Sequence, residues 1–205
     1  MKQRARIIAL PVWVTSCRTL LLFTAAVWIL FSSTGCQTLR RGSGYDQESK
    51  YSLKKRKSYI SCIPDAGGLP VTRSLPLKVS ERSLKHLFSS IEDHLGVRYR
   101  PGGTTPDGFD CSGFVQYLYK NNFRMLLPRT SGELAVLGTM VKKPQLQPGD
   151  LVFFSIDGNK IDHVGIYIGE KSFAHAATGG VKVNNIDEHY FFSRYACAAR
   201  LITTD

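Results

Sequence analysis

The spacing of apolar residues changes at Pro148-Gly149-Asp150, and this change limits the folds that the chain can adopt. Before this point apolar residues recur at helical spacing, whereas after it short apolar runs alternate with turn residues. The first part predicts helices from about Ser83 to Leu95, from about Cys111 to Asn121, and from near Thr130. The second part predicts strands at 151–156, 163–169, 171–176, 180–185 and 195–202. Helices followed by an antiparallel sheet indicate an α+β domain.

The net charge of +11 does not indicate a nucleic-acid-binding protein, because the basic excess lies at one end of the chain. Residues 1–60 contain 11 Lys and Arg against 2 Asp and Glu, whereas residues 61–205 contain 16 against 14. No basic stripe alternates with aromatic residues in the manner of single-strand-binding proteins. We therefore expect no nucleic-acid partner.

The first 35 residues have the order of a secretory signal peptide. A basic start is followed by 13 largely apolar residues at 19–31 and then by small residues. Such a run is too short to cross about 30 Å of hydrocarbon as a helix, and the order is that of a cleaved signal. The end of the segment, STGC at 33–36, resembles the lipobox of bacterial lipoproteins, which implies that Cys36 carries lipid. A transmembrane anchor over 7–31 and cleavage that leaves a free Cys36 are the alternatives.

Residues 36–80 predict a flexible tether, because they combine glycines, prolines and a basic run at 54–57 without sustained periodicity. The predicted organisation is a signal peptide at 1–35, a lipidated cysteine with a basic tether at 36–80, and a folded domain at 81–205. Lipid on Cys36 would hold the domain at a membrane in the cell envelope, on the periplasmic face. The basic run could also contact anionic lipid. By the lipoprotein sorting pattern, Gln37 implies the outer membrane if the source is Gram-negative.

The stretch GFDCSGF at 108–114 places a cysteine where the second helix begins. Asp110 is a favourable N-cap residue, so Cys111 would lie in the first turn. Unpaired N–H groups at a helix start favour the thiolate, which is the nucleophilic form of cysteine. Ser112 and Gly113 are small and leave room for a substrate. A buried cysteine in a core helix is the alternative.

Two histidines lie on neighbouring predicted strands and could serve that cysteine. A hairpin centred on Gly169 would set His163 directly opposite His175, where two rings can form a hydrogen bond. His163 could then act as the base for Cys111 while His175 orients it. Two unrelated surface histidines, or a metal site with these three residues, are the alternatives. We expect no metal, because a catalytic base explains why the cysteine starts a helix.

The other cysteines have no pattern of a zinc site, since no C-x-x-C pair occurs in the chain. A disulfide between Cys62 and Cys197 is possible in an exported protein. A buried thiol is the alternative for Cys197.

Together these motifs resemble the NlpC family of papain-like bacterial cell-wall peptidases, over residues 84–203. The blocks are YRPGG at 99–103, GFDCSGF at 108–114, LPRTS at 127–131, LQPGDLVFF at 146–154, HVGIYIG at 163–169 and FAHA at 173–176. The resemblance implies a papain-like domain whose N-terminal helices pack on a small antiparallel sheet. It also implies a Cys111–His163–His175 triad, with Tyr99, Asp110 and Ser112 in substrate binding or oxyanion stabilisation.

The resemblance implies hydrolysis of peptidoglycan stem peptides through a cysteine thiolate, without a cofactor. The bond could be the D-glutamyl–diaminopimelate bond or the cross-link between stems. A peptidoglycan amidase and a catalytically idle wall-binding lipoprotein are the alternatives. The presence of all three triad residues favours an enzyme. Arg129 could face an acidic stem peptide or form a structural salt bridge.

Overall fold

The computed structural model describes residues 55–204 of the chain. The predicted signal peptide at 1–35, the lipidation site Cys36 and the first part of the predicted tether lie outside the described residues. Within residues 55–204, no helix has the length and apolar character that crossing a membrane requires.

The described part contains four α-helices and twelve strands. The helices are α1 (Glu81–Asp93), α2 (Cys111–Phe123), α3 (Ser131–Leu134) and α4 (His189–Phe192). The early strands are β1 (Tyr59–Cys62), β2 (Val71–Ser74), β3 (Leu77–Val79), β4 (Thr104–Thr105), β5 (Gly108–Phe109) and β6 (Thr139–Val141). The later strands are β7 (Leu151–Phe154), β8 (His163–Gly169), β9 (Ser172–Ala177), β10 (Gly180–Asn185), β11 (Tyr195–Arg200) and β12 (Ile202–Thr204).

The main sheet has six strands in the order β10-β9-β8-β7-β11-β6, and every neighbouring pair is antiparallel. Helix α2 packs against β8 and β9, and α1 packs against α2. This arrangement confirms the predicted α+β class with N-terminal helices on an antiparallel sheet. Helix α4 was not predicted from the sequence, because four residues are too few to show a helical period.

The core lies between α2 and the sheet, as the apolar face of that helix predicts. Phe114, Val115 and Leu118 of α2 are fully buried, together with Val164 and Ile166 of β8. A second, aromatic cluster lies on the other side of the sheet. Because β8 is covered on both sides, the helix that begins at Cys111 is held rigidly against the strand that begins at His163.

A buried charge pair fastens the start of β7 to the end of β11. Arg200 donates from Nε and Nη2 to the two carboxylate oxygens of Asp150, both at 2.8 Å. The backbone N–H of Gln147 donates to the same carboxylate, whose residue is 1% exposed. Removing one partner of such a pair leaves an uncompensated buried charge. The LQPGD block therefore orients β7, which lies beside β8 in the sheet.

The prediction of a flexible tether through residue 80 is wrong for the part that the structure describes. Residues 59–79 form β1, β2 and β3, and β3 pairs in parallel with β12 at the other end of the chain. Arg56, from the basic run, donates from Nε to the carbonyl oxygen of Gly138 at 2.9 Å. Strands of three or four residues are too short to show alternation, and their partners lie far away in sequence. The folded domain thus includes residues before Glu81.

The burial of β1 leads to a stability prediction with a matched control on the same strand. Ile60 is 8% exposed and belongs to the core, whereas the neighbouring Tyr59 is 61% exposed. We expect Ile60→Ala to lower the free energy of unfolding by about 2 kcal/mol or more, through lost burial and a residual cavity. Tyr59→Ala should change it by less than about 0.5 kcal/mol. Urea denaturation measures the free energy of unfolding of both variants. Equal small changes in the two would show that β1 does not contribute to the folded domain.

Candidate active site

The start of α2 is built around the Asp110 carboxylate. Its Oδ1 accepts a hydrogen bond from the backbone N–H of Gly113 at 2.7 Å, which confirms the predicted N-cap. A side chain at Gly113 would place its Cβ 2.0 Å from the carbonyl oxygen of Gly103. A side chain at Gly103 would in turn meet the carbonyl oxygen of Gly108 at 2.2 Å. These two glycines let the loop before α2 pack directly on its first turn.

The thiol of Cys111 contacts the residues on either side of His163. Its Sγ lies 3.8 Å from the carbonyl oxygen of Asp162, and the backbone N–H of Val164 is directed at the sulfur. Burial raises the pKa of the Cys111 thiol, and the Asp110 carboxylate raises it further. The N–H groups of Val164, Ser112 and Cys111 act in the opposite direction without reversing the shift. The expected lowering by the helix start is therefore outweighed by burial.

The two histidines form a hydrogen-bonded pair on the sheet. His163 Nε2 lies 2.7 Å from His175 Nδ1, with the ring planes nearly perpendicular at 87°. Burial, followed by the neighbouring His175, lowers the pKa of His163 to about 3. Burial likewise lowers the pKa of His175 to about 4. Because a lowered pKa keeps a histidine deprotonated down to a lower pH, both rings are neutral at pH 7.

The pairing that brings the histidines together differs from the predicted one. Ile166 pairs with Ala174, which sets His175 opposite Gly165 rather than opposite His163. A shift of two residues keeps both histidines on the same face of the sheet, as diagonal neighbours. A Cβ at Gly165 would meet Phe173 Cδ2 at 2.5 Å. The glycine of the HVG sequence therefore permits the close packing of β8 on β9.

The turn between β8 and β9 explains why the predicted register was wrong. Glu170 and Lys171 adopt left-handed φ angles of 49° and 60°, as in the two-residue turns that favour hairpins. The centre of the hairpin thus lies beyond Gly169, where the pairing also shifts. Neither Glu nor Lys is a usual residue for this conformation, so the sequence carried no turn signal at that position.

Sequence reasoning missed two polar residues beyond His175. Its Nε2 lies 2.9 Å from Oδ1 of Asn184 on β10, and Nδ2 of Asn184 donates to both carboxylate oxygens of Glu188 at 3.0 and 3.2 Å. His175 is 1% exposed, so its second ring nitrogen needs a partner within the protein. This burial is visible only in the structure, so the sequence did not indicate that Asn184 or Glu188 would supply the partner.

Arg129 forms a structural salt bridge, which was one of its two predicted roles. Its guanidinium pairs with the Asp110 carboxylate and donates to Ser112 Oγ at 2.8 Å. Burial alone would raise the pKa of Asp110, but Arg129 and the N–H groups of Gly113 and Gly102 hold it below its usual value. The carboxylate beside the cysteine therefore stays ionised, and Arg129 fixes both residues that flank Cys111.

Tyr99 lines the same cavity as His163 and His175 and is 38% exposed. Its backbone forms an isolated β-bridge with Phe109, which directly precedes Asp110. Burial and the neighbouring Cys111 and Asp110 raise the pKa of Tyr99, so its hydroxyl keeps its proton and can donate a hydrogen bond. The structure thus brings all of the residues that the sequence assigned to catalysis or substrate binding, apart from the lipidation site, into one region. Their catalytic roles stay predictions.

Two cavities are lined by consecutive residues of the chain, Asp162 in one and His163 in the other. The first, of about 460 Å³, is lined by Asp162 together with residues of α3 and its N-cap. The second, of about 400 Å³, is lined by His163, His175, Tyr99 and residues of β10 and α4. The Cys111 thiol contacts the carbonyl oxygen of Asp162, between the residues that line the two cavities.

The remaining cysteines and the metal prediction can be placed in the described part of the chain. Cys62 and Cys197 are both buried and both free, so the possible disulfide between them is not formed. Among residues 55–204, no three His, Cys, Asp or Glu side chains are grouped so that they could hold a metal ion. The absence of a metal requirement stays a prediction.

Residues 96–200 match the model of the NlpC/P60 family. The chain belongs to the NlpC/P60 family. The matched range includes Cys111, His163 and His175, as well as the flanking Tyr99 and Asp110. The resemblance recognised from the sequence blocks is therefore confirmed.

Two relatives match more than half of this chain. The probable endopeptidase NlpC homolog of Haemophilus influenzae is 43% identical over 119 residues, which are 58% of this chain and 63% of the relative. Murein DD-endopeptidase MepS/murein LD-carboxypeptidase of Escherichia coli is 45% identical over 118 residues, 57% of this chain and 62% of the relative. The chain therefore spans less than two thirds of the length of either relative.

A solved structure shares the fold. The crystal structure of an NlpC/P60 family protein from Bacillus cereus aligns with a TM-score of 0.56 and 26% identity. The alignment covers 74% of this chain and 53% of that one. It therefore extends over more of this chain than either of the two relatives by sequence.

The electrostatics of the thiol lead to a prediction about its alkylation. Because burial and Asp110 raise the pKa of Cys111, its reaction with iodoacetamide should have a midpoint above the ordinary cysteine pKa of about 8.5. Asp110→Asn removes the charge but retains an oxygen that can cap α2, so the midpoint should move to lower pH. Asp107→Asn, on an exposed carboxylate nearby, is the control. Peptide mass spectrometry of Cys111 measures the rates, and an unchanged midpoint in Asp110→Asn would contradict this account.

Proposed function

We propose that this chain is a peptidoglycan endopeptidase in which Cys111 is the nucleophile and His163 its base. The observation that carries the proposal is the contact of the Cys111 thiol with the carbonyl oxygen of Asp162, directly before the hydrogen-bonded pair of His163 and His175. A thiol beside a histidine that a second residue orients has the parts that a cysteine nucleophile needs. The endopeptidase names of the two relatives support the same assignment.

In the proposed mechanism the resting thiol keeps its proton until the substrate is bound. His163 then accepts that proton while sulfur attacks the scissile carbonyl carbon, so a C–S bond forms and the carbonyl oxygen becomes negative. As the intermediate collapses, the C–N bond breaks and His163 returns the proton to the leaving amine. Water then attacks the thioester while His163 takes one of its protons, and a C–O bond forms. The C–S bond breaks to release the carboxyl product, and His163 returns the proton to the sulfur.

The developing negative charge on oxygen needs donors close to Cys111. The backbone N–H of Cys111 is one of the unpaired groups at a helix start and is available for this role. The Tyr99 hydroxyl, which keeps its proton, is the proposed second donor. The ionised Asp110 and Ser112, both fixed by Arg129, are proposed to bind polar groups of the stem peptide.

We propose the cross-link between stems as the bond that is cut. The name of the Escherichia coli relative specifies a DD-endopeptidase, and that relative is 45% identical to this chain over 118 residues. The D-glutamyl–diaminopimelate bond within a stem would give different fragments. An amidase would separate whole stems from glycan, and an idle wall-binding protein would release nothing.

Digestion of purified sacculi distinguishes these outcomes. We expect the purified full chain to convert cross-linked muropeptide dimers to monomers, identified by mass spectrometry. Cys111→Ala should release none above background, since it lacks the nucleophile. Cys62→Ala removes another buried free thiol, outside the cavities described, and should retain activity. Fragments cut within stems would change the assigned bond, and full activity of Cys111→Ala would overturn the mechanism.

We further propose that Cys36 carries lipid and holds the domain in the cell envelope, on the periplasmic face, and at the outer membrane if the source is Gram-negative. Only 18 residues separate Cys36 from Lys55, the first described residue. They can span at most about 65 Å, which limits how far from the bilayer the domain can act.

A Cys36→Ala variant tests this anchor. Export with lipid should leave the wild-type protein in the membrane fraction, with a diacylated N-terminal peptide in mass spectra. Cys36→Ala should move the protein to the soluble fraction without changing hydrolysis of isolated sacculi, because the cleft is unaltered. Soluble wild-type protein with an unmodified Cys36 would contradict the anchor.

A further inference from the structure

We propose that Asn184 and Glu188 are positioning residues, which fix the proton on Nε2 of His163 and leave its Nδ1 free to accept the proton of Cys111. The inference deepens the proposed function, because it concerns the base of that same reaction. It rests on a chain of hydrogen bonds whose directions are set at the Glu188 end. Neither residue belongs to the set predicted from the sequence.

The first step is that Glu188 can only accept hydrogen bonds. Its carboxylate accepts from the backbone N–H of Asn185 at 2.8 Å and from the side-chain amide of Asn184. These bonds hold the pKa of Glu188 below its ordinary value, so the carboxylate is ionised at neutral pH. An ionised carboxylate has no proton to donate.

The second step is the orientation of the Asn184 amide. Its Nδ2 lies 3.0 and 3.2 Å from the two oxygens of Glu188, while Oδ1 faces Nε2 of His175 at 2.9 Å. The reversed amide would place its oxygen against the carboxylate, where neither group has a proton to share. Glu188 therefore selects the orientation in which Asn184 presents an acceptor to His175.

The third step derives which nitrogen of each histidine ring carries the proton. Since Asn184 Oδ1 only accepts, His175 carries its proton on Nε2, and its Nδ1 has a lone pair. That nitrogen lies 2.7 Å from Nε2 of His163, which must then supply the proton of this bond. A neutral His163 with its proton on Nε2 has its lone pair on Nδ1. The lone pair is thus on the nitrogen that is not engaged by His175.

The opposite tautomers would disable the base. If His175 carried its proton on Nδ1, His163 Nε2 would have to accept, and the proton of His163 would lie on Nδ1. The ring could then no longer take the proton of Cys111. Deep burial of His175 makes the selection strong, because an unprotonated Nε2 would face the Asn184 oxygen with no proton between them and no water to supply one.

The charges around the rings are compatible with this arrangement. His175 is faced by His163 on β8, by Lys182 directly opposite on β10, and by Glu188 before α4. His163 is also influenced by Asp162, which partly opposes the effect of burial on its pKa. Burial and the positive charge of Lys182 both disfavour protonation of the two rings, so each ring stays neutral and carries a single proton at a defined nitrogen.

Asn184→Leu removes the acceptor while keeping a side chain of similar size. We expect kcat on sacculi or on a cross-linked muropeptide to fall about tenfold or more, because a positioned general base contributes about 10²- to 10⁴-fold. KM should change less than kcat, since Asn184 acts through His175 even though it also lines the cavity beside the two histidines. Asn185→Leu is the matched control, because that side chain accepts from the backbone N–H of Asp187 and does not contact the histidines.

Nitrogen-15 NMR of the histidine rings reports the tautomers without needing any activity. In the wild-type full chain, the His163 signals, assigned by comparison with His163→Ala, should show a protonated Nε2 and an unprotonated Nδ1. In Asn184→Leu the two forms should mix or invert, whereas Asn185→Leu should match the wild type. A wild-type protein with the expected tautomers but no hydrolysis would refute the proposed function and leave this inference standing.

A charge exchange provides a rescue that a purely structural role would not predict. In Asn184→Asp with Glu188→Gln, the carboxylate at 184 still accepts from His175, and the amide at 188 donates to it. We expect this double variant to recover most of the wild-type kcat on the alkaline side. Its acid limb should move to higher pH, because a carboxylate beside His175 stabilises the charged ring, whose Nδ1 can no longer accept from His163.

Three results would count against the inference, and the first two would overturn it. One is an Asn184→Leu variant with at least half of the wild-type kcat. The other is a loss of kcat in Asn184→Leu with wild-type ring tautomers, which would reduce Asn184 to a packing role. A double variant with the same acid limb as the wild type would argue against the path through His175.

Discussion

The hydrogen bonds of the Asp110 carboxylate are the interaction on which the rest of the site depends. This group accepts from the backbone N–H groups of Gly102 and Gly113, from Ser112, and from Arg129. One side chain thus ends the preceding loop, starts α2 and fixes the residues around the thiol. Because α2 packs on β8 through a buried apolar face, the thiol is placed beside the strand that carries His163.

Burial determines how the site can work. It raises the pKa of Cys111 and lowers those of His163 and His175, so the resting groups are neutral. In the proposed mechanism, a neutral thiol must transfer its proton to a base whose lone pair is correctly placed. The direction of the hydrogen bonds behind that base then matters as much as its distance from the sulfur. The proposed role of Asn184 and Glu188 is to set this direction through His175.

Parts of the fold that carry strong local signals were predictable, and short or distant pairings were not. The spacing of Leu84, Leu87 and Ile91 predicts α1, and Asp110 predicts the start of α2. The histidine pair was predicted through the wrong register, because the turn at Glu170 and Lys171 lacks the residues that favour it. Strands β1 to β3 were missed, since β3 takes its partner from the opposite end of the chain.

The sequence by itself determined the α+β class, the NlpC/P60 family and the identity of the cysteine and two histidines. These depend on local patterns, since helical spacing, a cap and ordered blocks are all written along a continuous stretch. Only the tertiary structure decided the diagonal pairing of the histidines, the role of Arg129, and the position of Asn184 and Glu188 behind His175. Each of these depends on which residues meet across separate strands and loops. Hydrogen-bond distance and burial are set there by packing, which no spacing along the chain records.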